Sequence, residues 1–506
     1  MNTRSEPCVL VIFGASGDLA ARKLIPSLYE MHRDGLLPES LEVLGVARSV
    51  KSEEDWRNEL EPWLQEHDPK YDRKIWKSLR DRIHYEAADA TTSEGMKAVG
   101  SRIAGLDAVG RIGGNILFFL SVASSLYEPI VEEIGRANLV TEGKRWCSLN
   151  PADRSWQRIV VEKPFGHDAA SAANLNRVLG RVFEEESIYR IDHYLAKEVV
   201  QSMLVFRFAN VIWEPIWNQQ YIDHVQISAL EQVGVGQRTA FYDQTGAIRD
   251  MIQSHLLQVL AFIAMEPPTD YTPNHVRNEK IKVIDALVPT SPDEVADRCA
   301  LGQYGSDGEN SGYANLDGVA KDSTTETYAA MELQFENWRW AGTPFYLRSG
   351  KRLARKSTEV VIQFKPPAAN LFRKLPSFKH EPNLVPNRIV MEIAPTQAFR
   401  VRLETKRPGM GIQLDSLEMV GDVENRFDAR EVEAYGPLLV DAMRGDQTLF
   451  KHRIEVESAW DAVMPFIGPD SAAARKGIHD NYAPGSWGPS SADQLLARTG
   501  RAWKND

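Results

Sequence analysis

The chain has 506 residues, a formal net charge of −11 at pH 7, and apolar and charged fractions of 43% and 25%. These values are typical of a soluble globular protein with about two or three domains, and the negative charge argues against general nucleic-acid or membrane binding. No apolar run approaches the roughly 18 residues of a membrane span, and the polar N-terminal residues are unlike a signal peptide. Three scattered cysteines, Cys8, Cys147 and Cys299, lack metal-ligand spacing. We therefore expect a cytoplasmic protein without a bound metal.

The N-terminal residues have the pattern of a dinucleotide-binding unit. The apolar run 9–13 predicts a buried parallel strand, and a helical pattern follows shortly after it. The residues that connect them are Gly14-Ala15-Ser16-Gly17-Asp18-Leu19-Ala20. Gly14 permits a tight turn, Gly17 lets the backbone approach a pyrophosphate, and the small Ala20 lets helix and strand pack closely. Since the spacing is G-x-x-G-x-x-A rather than G-x-G-x-x-G, a turn without a ligand is the alternative.

A second strand is predicted at 41–47, and Arg48 follows it directly. An acid at such a position binds the ribose 2′-hydroxyl of NAD, whereas an arginine accommodates the 2′-phosphate of NADP. We therefore expect a preference for NADP, and the pattern leaves use of NAD open. The alternative is a solvated arginine at a strand end.

Two further apolar runs, 116–120 and 159–161, alternate with helical patterns, which predicts parallel β-α-β units up to about residue 190. Lys163 follows the second of these runs, at the edge where ligands of such sheets bind. Pro164 restricts the Lys163 backbone, and a cis bond between them is a hypothesis. The alternative for Lys163 is a surface lysine.

The segment Arg190-Ile191-Asp192-His193-Tyr194-Leu195-Ala196-Lys197-Glu198 combines acidic, basic and hydroxyl groups. If it is helical, His193 and Lys197 lie on one face, and with the Tyr194 hydroxyl they suit a phosphate monoester. Asp192 could orient a second histidine elsewhere. The alternative is an exposed polar helix start.

Beyond residue 200, alternating patterns at 221–230, 329–335, 360–364 and 388–393 predict strands with one covered face. The acidic, glycine-rich stretch 302–318 predicts a loop. The predicted fold is therefore an N-terminal Rossmann-like α/β domain, residues 1–191, followed by a larger α+β domain, residues 192–506, with a mainly antiparallel sheet.

A long helical pattern begins at Gly246, continues through Ile263 and stops at Pro267-Pro268. It is apolar nearly all round and should be buried, so its polar residues Asp250 and His255 need partners. Asp192 offers a carboxylate for His255, and an Asp–His pair is a common general base. The alternative is a satisfied core histidine.

Taken in order, these motifs resemble the glucose-6-phosphate dehydrogenase family over nearly the whole chain, including 347–351 and 485–489. The resemblance implies an oxidoreductase of the pentose phosphate pathway that oxidises β-D-glucose 6-phosphate at C1 to 6-phospho-D-glucono-1,5-lactone, with hydride transfer to NADP. It also implies a homodimer or homotetramer assembled through the β-rich domain.

The resemblance further implies roles for individual residues. His255 would be the general base at the C1 hydroxyl, and Asp192 would hold its imidazole. The residues implied to bind the substrate phosphate are His193, Tyr194 and Lys197, with Lys356 at its edge. Those implied to contact the sugar hydroxyls or the C1 region are Lys163, Glu231, Asp250 and Lys351. Those implied to contact the cofactor are Gly14, Ser16, Gly17, Asp18, Leu19, Arg48, Tyr127 and Lys163.

The sequence departs from the family pattern at two places. Ala196 stands where the pattern has glycine, which bears on substrate affinity, and 121–125 lacks a proline pair, which bears on cofactor contacts. Two alternative functions stay open: an NAD(P)-dependent dehydrogenase of an unphosphorylated sugar or polyol, and a non-catalytic NADP sensor. The phosphate-binding cluster argues against the first, and the presence of both Asp192 and His255 argues against the second.

Overall fold

The computed structural model describes residues 5–110, 112–141, 155–236, 238–375, 384–423, 426 and 433–505. The chain divides into two compact units. Unit 1 comprises Met1–Ala196, Pro268–Asn278 and Glu431–Glu457, and unit 2 comprises Lys197–Pro267, Glu279–Arg430 and Ser458–Asp506. The sequence places its division between 191 and 192 and predicts neither of the two segments that return to unit 1.

The strands in the described residues, numbered in chain order, are β1 Cys8–Phe13, β2 Leu41–Ala47, β3 Ile83–Ala87, β4 Ile116–Leu120, β5 Gln157–Val161, β6 Ile188–Ile191, β7 Ile222–Leu230, β8 Cys299–Gly302, β9 Tyr328–Leu333, β10 Phe345–Gly350, β11 Ser357–Phe364, β12 Arg388–Ala394, β13 Ala398–Lys406, β14 Leu414–Asp422 and β15 Phe450–Lys451.

The α-helices in the same residues are Ile25–Arg33, Glu53–His67, Arg73–Arg80, Ser93–Gly110, Tyr127–Arg136, Ala169–Leu179, Glu198–Phe208, Thr239–Ala247, Leu257–Ala264, Pro273–Asp285, Val295–Arg298, Tyr435–Arg444, Arg453–Ile467 and Ser490–Ala497. Two segments, Ala20–Leu24 and Ile248–Leu256, have the wider turns of a π-helix. Among the helices described, none is both long enough and apolar enough to cross a bilayer.

Unit 1 contains a seven-stranded sheet in the order β15-β6-β5-β4-β1-β2-β3. Its strands are parallel except β15, which runs antiparallel to β6. The strands β1 and β4 are buried along their whole length, as expected for a parallel sheet covered on both faces. The predicted strands at 9–13, 41–47, 116–120 and 159–161 and the Rossmann-like fold are confirmed. The carboxyl ends of β1, β2, β4, β5 and β6 lie at the same edge of this sheet.

Unit 2 contains an eight-stranded sheet in the order β14-β13-β12-β11-β7-β10-β9-β8. Its neighbouring strands are antiparallel except β7 and β10, which are parallel. The four strands predicted for this domain are found as β7, β9, β11 and β12, so the α+β prediction is also confirmed. The predicted loop at 302–318 has, after its first residue, an isolated β-bridge at Tyr304 and a short 3₁₀ turn, Tyr313–Asn315.

The predicted buried helix of unit 2 is present. It starts at Ile248 rather than Gly246, because Gly246 has a positive φ of 72°. Its residues 256–264 are buried, and it ends where Met265 becomes extended, ahead of the predicted stop at the prolines. The helix packs on β7 and β10.

The condition of a helix over 190–198, under which His193 and Lys197 would share a face, is not met. Arg190 and Ile191 belong to β6, where they pair with β5 and β15. A turn follows, closed by the hydrogen bond from Leu195 N to Asp192 O at 3.0 Å. Lys197 is extended, with ψ of 131°, and the helix starts at Glu198. The pairing with strands distant in sequence overrides the local helical spacing of His193 and Lys197.

Of the three cysteines, Cys147 lies outside the described residues. Cys8 and Cys299 are buried free thiols. Burial raises the pKa of the Cys8 thiol to about 12 and that of Cys299 further, so both are unreactive at neutral pH.

Candidate active site

The turn after β1 has the geometry of a dinucleotide cradle. Gly14 has φ of 88°, and a Cβ at this position would lie 2.0 Å from the carbonyl oxygen of Ser121. The turn is closed by the hydrogen bond from Gly17 N to Gly14 O at 2.9 Å. Ser16, Gly17 and Asp18 are exposed and Ala20 is fully buried, as the packing role of a small residue requires. The exposed backbone of the turn is therefore accessible to an anion.

Arg48 is exposed directly after β2. Since β2 is the parallel neighbour of β1, with Phe13 paired to Val46, Arg48 lies at the same sheet edge as the Gly14 turn. Hydrogen bonds from Thr91 are the main cause of a lowered pKa of the Asp89 carboxyl, and the charge of the Arg48 guanidinium lowers it further. An exposed guanidinium at this position suits a 2′-phosphate.

Lys163 follows β5 at the same edge, and its bond to Pro164 is cis, as hypothesised. Tyr127 is buried, and its hydroxyl donates to the carbonyl oxygen of Glu162 at 3.1 Å, so Tyr127 lies next to the Lys163 backbone. Burial raises the pKa of the Glu162 carboxyl to about 7, against the lowering effect of a hydrogen bond from Tyr435. The structure thus brings Tyr127 and Lys163 together through Glu162.

Asp192 is buried after β6 and forms an ion pair with Lys451 of β15 at 2.9 Å. Its other oxygen accepts a hydrogen bond from Tyr194 N at 3.0 Å. A buried carboxylate requires a partner of this kind, and the antiparallel pairing of β15 with β6 supplies it. Asp192 is therefore fixed within unit 1, and its role toward His255 stays a prediction.

The turn after Asp192 contains the other predicted phosphate ligands of unit 1. The rings of His193 and Tyr194 pack against each other with centroids 5.3 Å apart. Lys197, the first residue of unit 2, is at the N-terminal cap position of the helix Glu198–Phe208. Ala196 is half-buried within the turn.

Three predicted residues meet at one edge of the unit 2 sheet. Glu231 follows β7 and Lys351 follows β10, and these parallel neighbours end side by side, with Leu230 paired to Gly350. Lys351 Nζ forms a short ion pair with the Glu231 carboxylate. Lys356 is exposed immediately before β11, which is antiparallel to β7 and pairs Ser357 with Leu230. The edge therefore carries two lysines around one acid.

Tyr242, in the helix that precedes the buried helix, lies beside this edge. The Lys351 ammonium lies 5.3 Å from the centre of the Tyr242 ring. Burial is the main cause of a raised pKa of the Tyr242 hydroxyl, and the charges of Asp250 and Glu326 raise it further. His255 lies on the same helix and is 1% exposed.

Several residues of these surroundings are not predicted from the sequence. Lys451 is in a strand of two residues, too short to have a period, and its pairing with β6 is long-range. Tyr242 and Glu326 belong to polar stretches without a recognisable motif. An aromatic residue shortly before Gly246 is the only local signal that could have indicated Tyr242.

Comparison with known proteins identifies the family. The model of the "Glucose-6-phosphate dehydrogenase, NAD binding domain" matches residues 11–202, and that of the "Glucose-6-phosphate dehydrogenase, C-terminal domain" matches residues 204–504. The chain belongs to the glucose-6-phosphate dehydrogenase family. It is 40% identical to a glucose-6-phosphate 1-dehydrogenase of Aggregatibacter actinomycetemcomitans over 99% of this chain and 98% of that protein. It is 37% identical to the corresponding protein of Bacillus subtilis over 100% of both.

Solved structures agree with this family membership. The fold matches a glucose-6-phosphate dehydrogenase in complex with its substrate glucose-6-phosphate, with a TM-score of 0.88 and 31% identity over the whole of both chains. It also matches a glucose-6-phosphate 1-dehydrogenase from Mycobacterium avium, with a TM-score of 0.82 and 32% identity, covering 100% of this chain and 99% of that one.

Proposed function

We propose that this member of the glucose-6-phosphate dehydrogenase family oxidises β-D-glucose 6-phosphate at C1 to 6-phospho-D-glucono-1,5-lactone, using NADP, in the cytoplasm. The family match over both domains is the observation that carries this proposal. The Gly14 turn and the Glu231–Lys351 edge add the chemistry expected of a dinucleotide site and of a polar, anionic sugar.

The residues of unit 1 fit a dinucleotide. Gly14 lets the turn pack directly against the Ser121 carbonyl, where a Cβ would not fit, and residues 16–18 are exposed to solvent. These residues would hold the pyrophosphate and Arg48 would hold the 2′-phosphate, with Tyr127 and Lys163 further along the same edge. When bound, NADP supplies the acceptor for the hydride that leaves C1.

The proposed substrate contacts divide by chemistry. His193, Tyr194 and Lys197 donate hydrogen bonds to the phosphate, which anchors the sugar far from C1, and Lys356 adds charge at its edge. The residues that bind sugar hydroxyls are Lys163, Glu231, Asp250 and Lys351. Because Lys351 and Glu231 form an ion pair, each is held in place before the sugar binds.

His255 is proposed as the general base that removes the proton of the C1 hydroxyl. Loss of this proton eases departure of the hydride, because negative charge on the oxygen favours formation of the carbonyl. Burial within the helix restricts the orientation of the imidazole, and Asp192 is proposed to stabilise the imidazolium.

The experiment that tests this proposal follows the hydrogen of C1. Glucose 6-phosphate deuterated at C1 is incubated with the purified protein and NADP, and the reduced cofactor is analysed by mass spectrometry. We expect one deuterium per reduced cofactor and release of a phosphogluconolactone. Reduced cofactor without deuterium would contradict oxidation at C1, and no reduction at all would favour a non-catalytic NADP sensor.

A further inference from the structure

Glu326 is a buried acid that the proposed chemistry does not use. It lies shortly before β9 in unit 2 and is 1% exposed. One carboxylate oxygen accepts a hydrogen bond from the backbone N–H of Ile248 at 3.1 Å, and the other forms an ion pair with Arg475 at 2.8 Å. Ile248 is the first residue of the helix that carries Asp250 and His255.

Glu326 satisfies two successive N–H groups at this helix start. Its backbone carbonyl accepts from Ala247 N at 3.0 Å, in addition to the bond from Ile248 N to its carboxylate. The first N–H groups of a helix have no partner within the helix and require one from outside. Ala247, at the N-terminal cap position, has no polar side-chain atom to supply it. Glu326 therefore caps the helix from another element, with its charge at the favourable end of the helix dipole.

Gly246 leaves room for this cap. A Cβ at position 246 would lie 2.5 Å from one Glu326 carboxylate oxygen, and the positive φ of 72° would strain any other residue. The carboxylate thus occupies the space that the absence of a side chain provides. This explains the glycine that precedes the helix.

Arg475 holds the cap in position. Its guanidinium donates to Ser471 Oγ at 2.9 Å and to the carbonyl oxygens of Thr324 at 2.6 Å and Phe466 at 3.3 Å, besides its ion pair with Glu326. An arginine with this many acceptors has little freedom to move. The Glu326 carboxylate is therefore fixed on one side by Arg475 and on the other by the helix.

We propose that Glu326 is a positioning residue for the dehydrogenase reaction, which fixes the first turn of the helix so that Asp250 presents its carboxylate correctly to the sugar. This inference rests on the proposed function, which places Asp250 in the substrate site. Asp250 is two residues beyond the capped Ile248, within the same first turn of the helix. A rotation of this turn would therefore move the Asp250 carboxylate directly.

The test compares Glu326→Ala in the natural chain and in an Asp250→Asn background. Misplacement of a substrate-orienting group by about 1 Å costs up to about 100-fold in rate. We expect Glu326→Ala to lower kcat/KM for glucose 6-phosphate by about 10- to 100-fold in the natural chain and by less than about twofold when Asp250 is already replaced. Glu326→Gln, whose amide oxygen can still accept from Ile248 N, should show a much smaller loss than Glu326→Ala.

Glu332→Ala is the matched control, since Glu332 lies within β9 and its carboxylate accepts a hydrogen bond from the Gln334 side chain rather than from the helix start. It should leave kcat/KM unchanged.

An equal loss for Glu326→Ala in both backgrounds would show a role in stability alone and would overturn the proposal. If Glu326→Ala does not fold, the same comparison with Glu326→Gln decides, with a loss of about threefold expected only in the natural chain. Full activity of Asp250→Asn by itself would overturn the role of Asp250, and with it this inference.

Discussion

Replacing Gly14 by alanine tests the dinucleotide cradle directly. An alanine at φ of 88° would be in a backbone region that costs an L-residue about 1–2 kcal/mol. Its Cβ would also lie 2.0 Å from Ser121 O and 2.8 Å from the Val122 side chain, so the segment after β4 must move by more than about 1 Å to restore ordinary contact distances. Overpacking of this kind costs about 1–3 kcal/mol. The two costs together are about 2–5 kcal/mol.

Gly35→Ala is the matched control for this prediction. Gly35 also has a positive φ, 70°, but an added Cβ would meet nothing within 4 Å. It should therefore show the backbone cost of about 1–2 kcal/mol alone. The difference in free energy of unfolding between the two variants isolates the steric clash of the added Cβ with Ser121 and Val122.

Two measurements check the prediction. Thermal unfolding should show a larger fall of the midpoint for Gly14→Ala than for Gly35→Ala. Titration calorimetry with NADP should show binding weakened at least tenfold for Gly14→Ala and unchanged for Gly35→Ala, because only the first variant displaces the turn. Equal midpoints and equal NADP affinities for the two variants would refute the reasoning.

Four further predictions concern single side chains. His255→Asn should lower kcat by about 10²–10⁴-fold with little change in substrate affinity, as expected for a general base, and near-normal turnover would rule out that role. Lys197→Ala should raise KM for glucose 6-phosphate more than it lowers kcat; an unchanged KM would contradict the phosphate contact. Arg48→Ala should shift the ratio of kcat/KM values for NADP and NAD toward NAD, whereas an unaltered ratio would argue against the 2′-phosphate contact. Burial raises the pKa of Glu162 from 4.5 to about 7, so the folded protein retains a proton that the unfolded chain releases between these values. The contribution of the protonated Glu162 carboxyl to stability is therefore complete below pH 4.5 and falls as pH rises to about 7. Thermal midpoints measured across this range should decline less for Glu162→Gln than for the natural chain. An identical pH profile for both proteins would contradict the raised pKa.

The sequence predicts well those elements whose burial is evident from their own pattern of apolar residues. The strands β1 and β4 are continuous apolar runs because both faces are covered, and the buried helix of unit 2 has an equally uniform pattern. By contrast, β13 and β14 alternate or mix charged and apolar residues, with β13 mostly half-buried and β14 largely exposed, so their patterns do not distinguish them from loops. The partners of such strands are determined by the whole fold rather than by their own residues.

The candidate site shows the same division. The positions of Arg48 and Lys163 can be predicted from the sequence, because the residues that follow parallel strands meet at one edge of the sheet. Lys451 and Glu326 are not, because each acts on a partner far away in the chain, Asp192 and Ile248 respectively. The extended conformation of Arg190 and Ile191 has the same origin, since only the pairing of β6 with β5 and β15 shows it.

The most direct test of the proposed function is the initial rate of cofactor reduction, followed by absorbance, for glucose 6-phosphate and plain glucose, each with NADP and with NAD. We predict strong activity with the phosphorylated sugar, faster with NADP than with NAD, and little activity with glucose. Equal rates with glucose and glucose 6-phosphate would contradict the phosphate-binding roles of His193, Tyr194 and Lys197, and would favour a dehydrogenase of unphosphorylated sugars.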